Sequence, residues 1–355
     1  MQRTQKDKEP ISKQVKAKVR TSGNKAKPKL EYEGSTETMI STGSTLLDLA
    51  ISGGRIRGGG IPAGIFVEVF GPSGTGKTVL LSEIAGMVQR EGGEIMFHDP
   101  EARLNKQFAQ IFDFELDEVD YGTPDTVPEV FQSVREWDPN NPKAINGIFA
   151  DSLAALSTDM EMDNTEGDKM GGRRAKEFSQ ELRRTCRILR AKNYLMVCSN
   201  QIRDTFAAVG PKTASPGGKA LIFYPSLRLR TSFAERLSKI RKTVTIAGKE
   251  VKRVTGVNIE IEVFKSSVWK PYRKAPLTII FDYGIDDVRQ NLQFIKNYTK
   301  ATVYIVGDKT LDKSIEKSIT IIEEEGLEDQ LREEVIDLWE EIEVKFVSDR
   351  KKKKR

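Results

Sequence analysis

The sequence predicts an α/β fold with a mainly parallel central sheet, followed by a small α/β C-terminal domain. Short apolar runs typical of buried strands alternate with longer segments of helical spacing; these runs are IFVEVF, GEIMFHD, NGIFADS and NYLMVCSNQ. Strands and helices that alternate in this way form a parallel sheet covered on both faces. After Tyr224 the segments alternate apolar and polar residues, which favours antiparallel strands and a hairpin turn at Ala247 and Gly248.

The chain is predicted to divide into four parts. Residues 1–33 are polar, basic and aperiodic and are interpreted as a flexible arm, and residues 34–286 form the core. Residues 287–348 form the small domain, which ends in an amphipathic helix over residues 327–342. Residues 349–355 form a basic tail.

Helices within the core follow from caps and from apolar spacing. Ser41 or Thr42 is expected to cap a first helix, and the helix that follows the strand IFVEVF should extend to about Arg90. A further helix is predicted around residues 106–112. A long polar and basic helix over residues 172–192 joins the last two parallel strands.

Basic residues are concentrated at the two ends of the chain. The 355 residues contain 57 Lys and Arg against 52 Asp and Glu, which gives a net charge of +5. Residues 3–29 hold ten of these cations, and residues 350–355 are all basic. Such blocks are usually solvated tails, and contact with a polyanion is an equally open interpretation. A nuclear-localisation signal in KKKKR is a further alternative.

The cysteine content favours a reducing compartment. Cys186 and Cys198 lie in apolar or mixed surroundings without a C-x-x-C pair, so we interpret them as buried thiols rather than as a disulfide or a metal site. No apolar run approaches the roughly 20 residues of a membrane span, and the N-terminus lacks the apolar segment of a secretory signal. We therefore expect a soluble cytoplasmic protein with no membrane partner.

A glycine-rich motif follows the strand IFVEVF. It matches G-x-x-x-x-G-K-[ST] at every fixed position and consists of Gly71, Pro72, Ser73, Gly74, Thr75, Gly76, Lys77 and Thr78. In this motif, backbone N–H groups surround nucleotide phosphates, and the next helix points its N-terminus at them. The sequence therefore predicts a bound nucleoside triphosphate. The motif alone does not separate motors, switches, kinases and filament-forming proteins.

Two carboxylates lie at the ends of predicted strands. Parallel sheets bind ligands at the carboxyl ends of their strands, so Asp151 and Glu101 are expected beside the phosphates. Asp151 would hold Mg²⁺ through water, beside Thr78, and Glu101 would orient and deprotonate the attacking water. Gln201, at the end of another strand, would sense the γ-phosphate. A surface carboxylate or a helix cap is the alternative for each acid, and the only histidine, His98, is interpreted as a core residue.

Long polar loops follow Asp151 and Gln201. The first contains STDMEMDNTEGDKMGGRRAKEF, and the second contains IRDTFAAVGPKTASPGGKALIFY. Long loops on a compact fold are usually functional or disordered. Cations for phosphates and Phe206 for contact with bases would suit a groove for single-stranded nucleic acid, and a disordered surface loop is the alternative.

Taken together, these motifs resemble the RecA recombinases, and the bacterial form more than the archaeal or eukaryotic one. The likeness extends from about Thr38 through the small C-terminal domain. It rests on segments in the same order, namely ISTGSTLLDLAI, GPSGTGKT, HDPEARL, DSLAAL, MGGRRAKEFSQELRR, NQIR, GGKALIFYPSLRLR and VFKSSVWKPY. The resemblance implies a RecA-type P-loop ATPase core with ATP and Mg²⁺ as its cofactors.

The resemblance also implies roles for single residues. It gives catalytic roles to Glu101, Lys77, Gln201 and Lys265. Phe108 would stack on the adenine, and Asn105 would read its edge. Lys265 would reach the γ-phosphate of the neighbouring protomer. The two loops, at about residues 157–172 and 202–217, would bind DNA, and the candidate contacts are Lys169, Gly171, Gly172, Arg173, Arg174, Arg203, Phe206, Lys212, Gly217 and Gly218.

The function that the resemblance implies is ATP-dependent homologous recombination. The protein would form a helical filament on single-stranded DNA and exchange strands with a homologous duplex. A RecA-fold mediator without strand exchange and a hexameric DNA motor are the alternatives. Departures from the bacterial pattern are Ser267 in place of a second interface lysine, a basic tail in place of an acidic one, a slightly shorter second loop and no evident N-terminal docking helix. These departures fit a divergent lineage, such as a viral one.

Overall fold

A computed structural model describes residues 39–53, 56–104, 106–112, 115–158, 170–204, 213–214, 220–235, 238–299, 301–348 and 350. Contacts between Cα atoms divide the chain into two compact units. The larger unit is Ser35–Asp286, and Asp287 begins the C-terminal segment of the smaller one. No helix in the described part of the chain combines the length and the apolar character needed to cross a membrane.

The larger unit is built on a mainly parallel sheet, as the sequence predicts. In the described residues the sheet has ten strands. The parallel strands are β3 (Ile65–Gly71), β4 (Ile95–His98), β5 (Val119–Gly122), β6 (Gly147–Ala150) and β7 (Leu195–Gln201). Since β3, β7, β6 and β4 are neighbours, their carboxyl ends share one edge of the sheet.

The second half of the sheet is antiparallel, with one exception. Its strands are β10 (Leu227–Phe233), β11 (Lys239–Ile246), β12 (Lys249–Ser266), β13 (Lys274–Ile280) and β14 (Gly284–Ile285). Across the whole sheet the strand order is β14-β13-β12-β10-β3-β7-β6-β4-β5, and β11 pairs with β12 off this path. The expectation that all of them are antiparallel is wrong for β10, which runs parallel to β3 and antiparallel to β12. A strand between two neighbours forms backbone hydrogen bonds along both of its edges. Alternation of apolar and polar residues along the strand does not reveal whether either neighbour is parallel or antiparallel.

Helices cover the sheet, and the largest side chains are buried between the layers. The helices are α1 (Thr45–Ser52), α2 (Lys77–Arg90), α3 (Lys106–Ile111), α4 (Val127–Glu136), α5 (Met170–Lys192) and α6 (Ala220–Phe223). Phe131 of α4 and Phe178 of α5 meet edge to face, with their ring centroids 6.2 Å apart. They belong to a buried cluster that also includes Phe66 of β3 and Met196 of β7. Short pairs complete this unit: β1 (Met39–Ile40) with β2 (Ile61–Pro62), and β8 (Arg203–Asp204) with β9 (Thr213–Ala214).

The first helix begins later than the sequence suggests. The cap of α1 is Ser44, whose Oγ accepts a hydrogen bond from the Leu47 N–H at 3.5 Å. Ser41 and Thr42 instead donate to the Asp48 carboxylate, from the Ser41 hydroxyl at 2.5 Å and from the Thr42 N–H and hydroxyl at 2.7 Å each. The prediction that Ser41 or Thr42 caps the helix is therefore wrong, because both side chains donate hydrogen bonds to the Asp48 carboxylate.

The described residues of the smaller unit from Asp287 onward contain three helices and a short hairpin. The helices are α7 (Asp287–Thr299), α8 (Ile315–Glu325) and α9 (Glu328–Val344), and the hairpin pairs β15 (Ile305–Val306) with β16 (Lys309–Thr310). Of the apolar face expected for the last helix, Leu331, Val335 and Leu338 are buried and Ile342 is half-buried. Gly326 ends α8 in a left-handed conformation, with φ of 62°.

Candidate nucleotide-binding site

The loop at residues 71–76 joins β3 to α2 and depends on its glycines. Gly74 and Gly76 have φ values of 76° and 73°, in the left-handed region that favours glycine. Gly71 is required for close packing instead. A β-carbon at Gly71 would lie 2.2 Å from the Thr231 Oγ1 and 2.4 Å from the Thr231 carbonyl oxygen of β10. The loop is therefore shaped both from within and by a neighbouring strand.

Thr75 fixes the middle of this loop. It is fully buried, and its hydroxyl donates to the Pro72 carbonyl at 2.7 Å. The Thr75 and Thr231 hydroxyl oxygens lie 2.6 Å apart. Because the single Thr75 proton is used on Pro72, the Thr231 hydroxyl is the donor in that second bond. The chain from Thr231 through Thr75 to Pro72 holds the loop in one conformation.

Lys77, the first residue of α2, reaches back over the loop. Its Nζ donates to the Gly71 carbonyl at 3.0 Å and to the Pro72 carbonyl at 2.7 Å. Burial lowers the pKa of the Lys77 ammonium, and the nearby carboxylates of Asp151 and Glu101 act against that shift. No side chain caps the N-terminus of α2, and its first turn contains no acidic residue. A helix start of this kind attracts anions.

Asp151 meets Thr78 at the edge of the sheet, as the sequence predicts for two residues of one site. The Thr78 hydroxyl donates to the Asp151 Oδ2 at 2.5 Å, and the Ser199 hydroxyl donates to the other carboxylate oxygen. The Asp151 N–H donates to the His98 carbonyl at 3.0 Å, which fixes the backbone between β6 and β4. A hydroxyl and a carboxylate held together in this way are the hard oxygen ligands that Mg²⁺ prefers. The residues present therefore fit a magnesium ion.

Glu101 lies in the turn after β4. Its carboxylate pairs with the Arg103 guanidinium at 2.7 Å, and its side chain remains 22% exposed. The adjacent Asp99 carboxylate holds the turn, because it accepts the Leu104 N–H at 2.7 Å and the Tyr121 hydroxyl at 2.9 Å. Burial and the bond to Asp99 raise the pKa of Tyr121 to about 12. The sequence reading missed Asp99 and Tyr121 as supports for Glu101, since the bond between them spans two strands.

Gln201 ends β7 directly opposite Gly71 of β3 and is half-buried. Its neighbour Asn200 donates from Nδ2 to the Glu68 Oε1 at 2.9 Å, and the Arg228 Nε donates to the Glu68 Oε2 at 2.5 Å. Burial raises the pKa of Glu68, and Arg228 and Asn200 oppose that shift. This buried network joins the end of β7 to β3 and β10. Nothing in the spacing of the sequence indicates it.

Lys265 lies on β12, beside the end of α6. Its Nζ donates to the Phe223 carbonyl at 2.6 Å and to the Ile222 carbonyl at 3.1 Å. Burial, followed by repulsion from Arg228, lowers the pKa of Lys265, and Glu68 opposes the shift. Within one protomer, Lys265 therefore binds the helix that follows the second loop. Ser267, two residues on, is exposed.

The other candidates are distributed as follows. Phe108 is half-buried and contacts the Phe112 ring edge to face, with 4.9 Å between centroids. His98 is buried, its Nε2 lies 3.3 Å from the Ser133 hydroxyl, and burial lowers its pKa to about 4. The interpretation of His98 as a core residue is confirmed. Cys198 is buried, Cys186 is partly buried, and both are free thiols. Asn105 lies outside the described residues.

Only part of the two candidate DNA loops falls within the described residues. The Arg174 Nη2 donates to the Leu153 carbonyl at 3.1 Å and to the Ala154 carbonyl at 2.7 Å, so it holds the segment after Asp151. The backbone of α5 contains Gly171, Gly172 and Arg173, and Arg203 of β8 pairs with Ala214 of β9. The candidates outside the described residues are Lys169, Phe206, Lys212, Gly217 and Gly218.

Comparison with known proteins agrees with this geometry. The family model described as the RecA N-terminal domain matches residues 10–286. The chain belongs to the RecA family. It is similar to Protein RecA of Borrelia hermsii, with 32% identity over 298 residues that cover 82% of this chain and 79% of that protein. It is also similar to Protein RecA of Thermus thermophilus, with 34% identity over 254 residues that cover 70% of this chain and 69% of that protein.

Membership in the RecA family gives the architecture its name. The mainly parallel sheet with the loop at residues 71–78 is a RecA-type P-loop core. Another relative, Protein RecA of Delftia acidovorans, is 33% identical over 248 residues. At this identity the relatives establish the family, and the reaction of this chain has to be argued from its own residues.

Proposed function

We propose that this RecA-family protein is an ATP-dependent recombinase that polymerises on single-stranded DNA and exchanges strands with a homologous duplex. The observation that carries the proposal is the convergence of Lys77, Thr78, Asp151 and Glu101 at one sheet edge. Both long loops leave the sheet from that same edge, after β6 and β7. Nucleotide and DNA would thus act on neighbouring segments of one protomer.

In this proposal the core residues bind MgATP. Lys77 would exchange its bonds to two neutral carbonyls for bonds to phosphate oxygens, which are charged and therefore stronger acceptors. Thr78 and Asp151 would hold Mg²⁺, which neutralises charge on the phosphates when it is bound. Glu101 would leave Arg103 to orient and deprotonate the attacking water. Asn105 and Phe108 would contact the adenine.

Gln201 and Lys265 would couple the nucleotide to DNA. Gln201 ends the strand that leads into the second loop, so a contact with the γ-phosphate would reposition that loop. Lys265 binds the carbonyls of α6, the helix that follows the same loop. If Lys265 also reaches the ATP of a neighbouring protomer, assembly and loop conformation become linked. The loop cations, Phe206 and the glycine pairs would bind single-stranded DNA.

The bulk properties complete the proposal. We place the protein in the cytoplasm, with residues 1–33 as a basic arm, residues 34–286 as the ATPase core, residues 287–348 as the small domain and residues 349–355 as a basic tail. A mediator without strand exchange and a hexameric motor remain the competing functions. The order of the motifs and the length of both loops favour the filament.

A strand-exchange assay tests the proposal. Circular single-stranded DNA, a homologous linear duplex and MgATP are incubated with the wild-type protein or with Lys77→Ala. We expect nicked circular product with the wild type and none with Lys77→Ala, and regular filaments in electron micrographs with a slowly hydrolysed ATP analogue. Filaments without product would favour the mediator, and closed rings that unwind duplexes would favour the motor.

A further inference from the structure

A two-stranded hairpin extends beyond the sheet of the larger unit. We call residues 239–254 the distal hairpin. Among the residues that the structure describes, its first strand, β11, pairs only with β12, and β12 pairs with β13 only from Gly256 onward. Every residue from Arg241 to Glu250 is exposed. At about 3.3 Å per residue, the eight residues of β11 span roughly 26 Å.

The turn of the distal hairpin is well defined, and its stability has little support from packing. Ala247 and Gly248 have φ values of 48° and 72°, and Ile246 pairs with Lys249. Two positive φ values are typical of a type I′ hairpin turn. A two-stranded hairpin in water is only marginally stable, because it buries little apolar surface. A structural role in the core therefore does not account for this segment.

The distal hairpin is strongly basic. It contains six cations and one anion, namely Lys239, Arg241, Lys242, Lys249, Lys252, Arg253 and Glu250. Among the described residues, no ion pair with Asp or Glu includes any of the six cations. Lys242 lies directly opposite Arg253, and like charges at such positions destabilise a ladder. An external anion would turn this unfavourable pair into a binding site.

Edge protection is the competing explanation, since lysines on exposed strands prevent pairing between molecules. Edge protection requires charges on the unpaired edge strand. Here both strands and both faces carry cations, and one face combines them with apolar side chains; that face consists of Lys242, Val244, Ile246, Lys249, Val251 and Arg253. A basic two-stranded ribbon fits the major groove of duplex DNA, which is about 12 Å wide.

We propose that the distal hairpin is a duplex-DNA contact separate from the two loops. Its cations would bind phosphates on both sides of a groove, and its length matches roughly eight base pairs at 3.4 Å per pair. The inference rests on the proposed function for the identity of the polyanion as DNA. In a recombinase, such a contact would capture the homologous duplex while the loops hold the single strand.

The test uses the full-length triple variant K242Q/K249Q/R253Q. Fluorescence anisotropy follows binding to a 30-base-pair duplex and to oligo-dT across a series of salt concentrations. For the duplex, log K falls as log salt rises, and we expect the steepness of this fall to decrease by up to about 0.9 for each lost phosphate contact. Binding to oligo-dT and ATPase activity stimulated by oligo-dT should not change. The charge-preserving variant K242R/K249R should behave as the wild type.

The control variant K143Q/R187Q/R190Q removes the same charge from exposed positions elsewhere in the larger unit. A wild-type duplex slope in the hairpin variant, or an equal loss in this control, overturns the inference. So does an equal loss for duplex and oligo-dT, which would indicate a general electrostatic effect. If the hairpin variant aggregates and its duplex affinity is unchanged, the cations serve edge protection and the inference is wrong. The proposed function fails in a different way, since the wild type would then form no strand-exchange product, whatever the duplex affinity of the hairpin variant.

Discussion

The Asp151 carboxylate illustrates how single residues set the chemistry. Its two oxygens are held by hydroxyls from different elements, Thr78 on α2 and Ser199 on β7. The carboxylate is therefore oriented both by α2 and by β7, the strand that ends in Gln201. Preorganised groups of this kind act without reorganisation during the reaction.

Glu101→Gln tests the proposed base. The amide keeps the size of the side chain and cannot accept a proton, so ATP and DNA should remain bound. Turnover should fall by about 100-fold or more. Phosphate release measures turnover, and a fluorescent ATP analogue measures binding. Normal hydrolysis by this variant would show that Glu101 is not the base. Lys77→Ala is the contrasting control, because it should lose productive ATP binding itself.

His98 predicts a pH dependence of stability. Burial lowers its pKa from 6.5 to about 4, so the unfolded chain binds the proton more tightly. The buried neutral ring therefore contributes its full share to the free energy of unfolding above pH 6.5. This contribution is lost as the pH falls toward 4, by up to about 3 kcal/mol. Urea unfolding at several pH values measures this loss. In His98→Gln the difference between pH 7 and pH 4 should shrink by that amount, and an unchanged difference would contradict the assignment.

At the scale of elements, the phosphate loop depends on β10 as much as on its own glycines. Gly71→Ala would drive a methyl group into Thr231 and should cost about 1–3 kcal/mol in the free energy of unfolding. Gly122→Ala is the matched control, because its nearest atom, the His98 Nδ1, would be 4.0 Å from the new β-carbon. Urea unfolding compares the two variants. Equal costs would show that the contact with Thr231 does not constrain the loop.

The elements that could be predicted from sequence are those with local signals. The parallel strands, α2 and the turn at Ala247 and Gly248 follow from apolar runs, the glycine motif and the hairpin pattern. Helix α4 and strand β5 were missed, although Thr126 and Glu129 have the spacing that marks the start of a helix, and the Glu129 carboxylate accepts the Thr126 N–H at 3.2 Å. The direction of β10 and the contact between Gly71 and Thr231 depend on residues far apart in the chain, and no local pattern reports them.

The same division holds for the candidate site. Lys77, Thr78 and Asp151 were predictable because a motif and a strand end locate them. The Glu68 network and the bonds from Lys265 to α6 were not, since each joins separate strands or a strand to a helix. The structure thus adds both the bonds that join the predicted residues and the residues that support them, such as Asp99 and Glu68.

At the scale of the whole molecule, the proposal requires assembly. Glu101, Lys77 and Thr78 belong to one protomer, whereas Lys265 is proposed to complete the ATP site of the next. ATPase activity should then be slow for free protein and rise cooperatively with protein concentration on single-stranded DNA. It should collapse in Lys265→Ala, because no second interface lysine is present at Ser267. A surface lysine without this role would leave activity near the wild-type level.

Mixing two inactive variants tests the shared site most directly. Glu101→Gln and Lys265→Ala proteins are combined at several ratios on single-stranded DNA, and phosphate release is measured. Some interfaces in a mixed filament pair an intact Glu101 with an intact Lys265 of the neighbour, so activity should reappear and peak near equal amounts. Absence of recovery, with co-assembly demonstrated by energy transfer between labelled variants, would contradict a site built from two protomers.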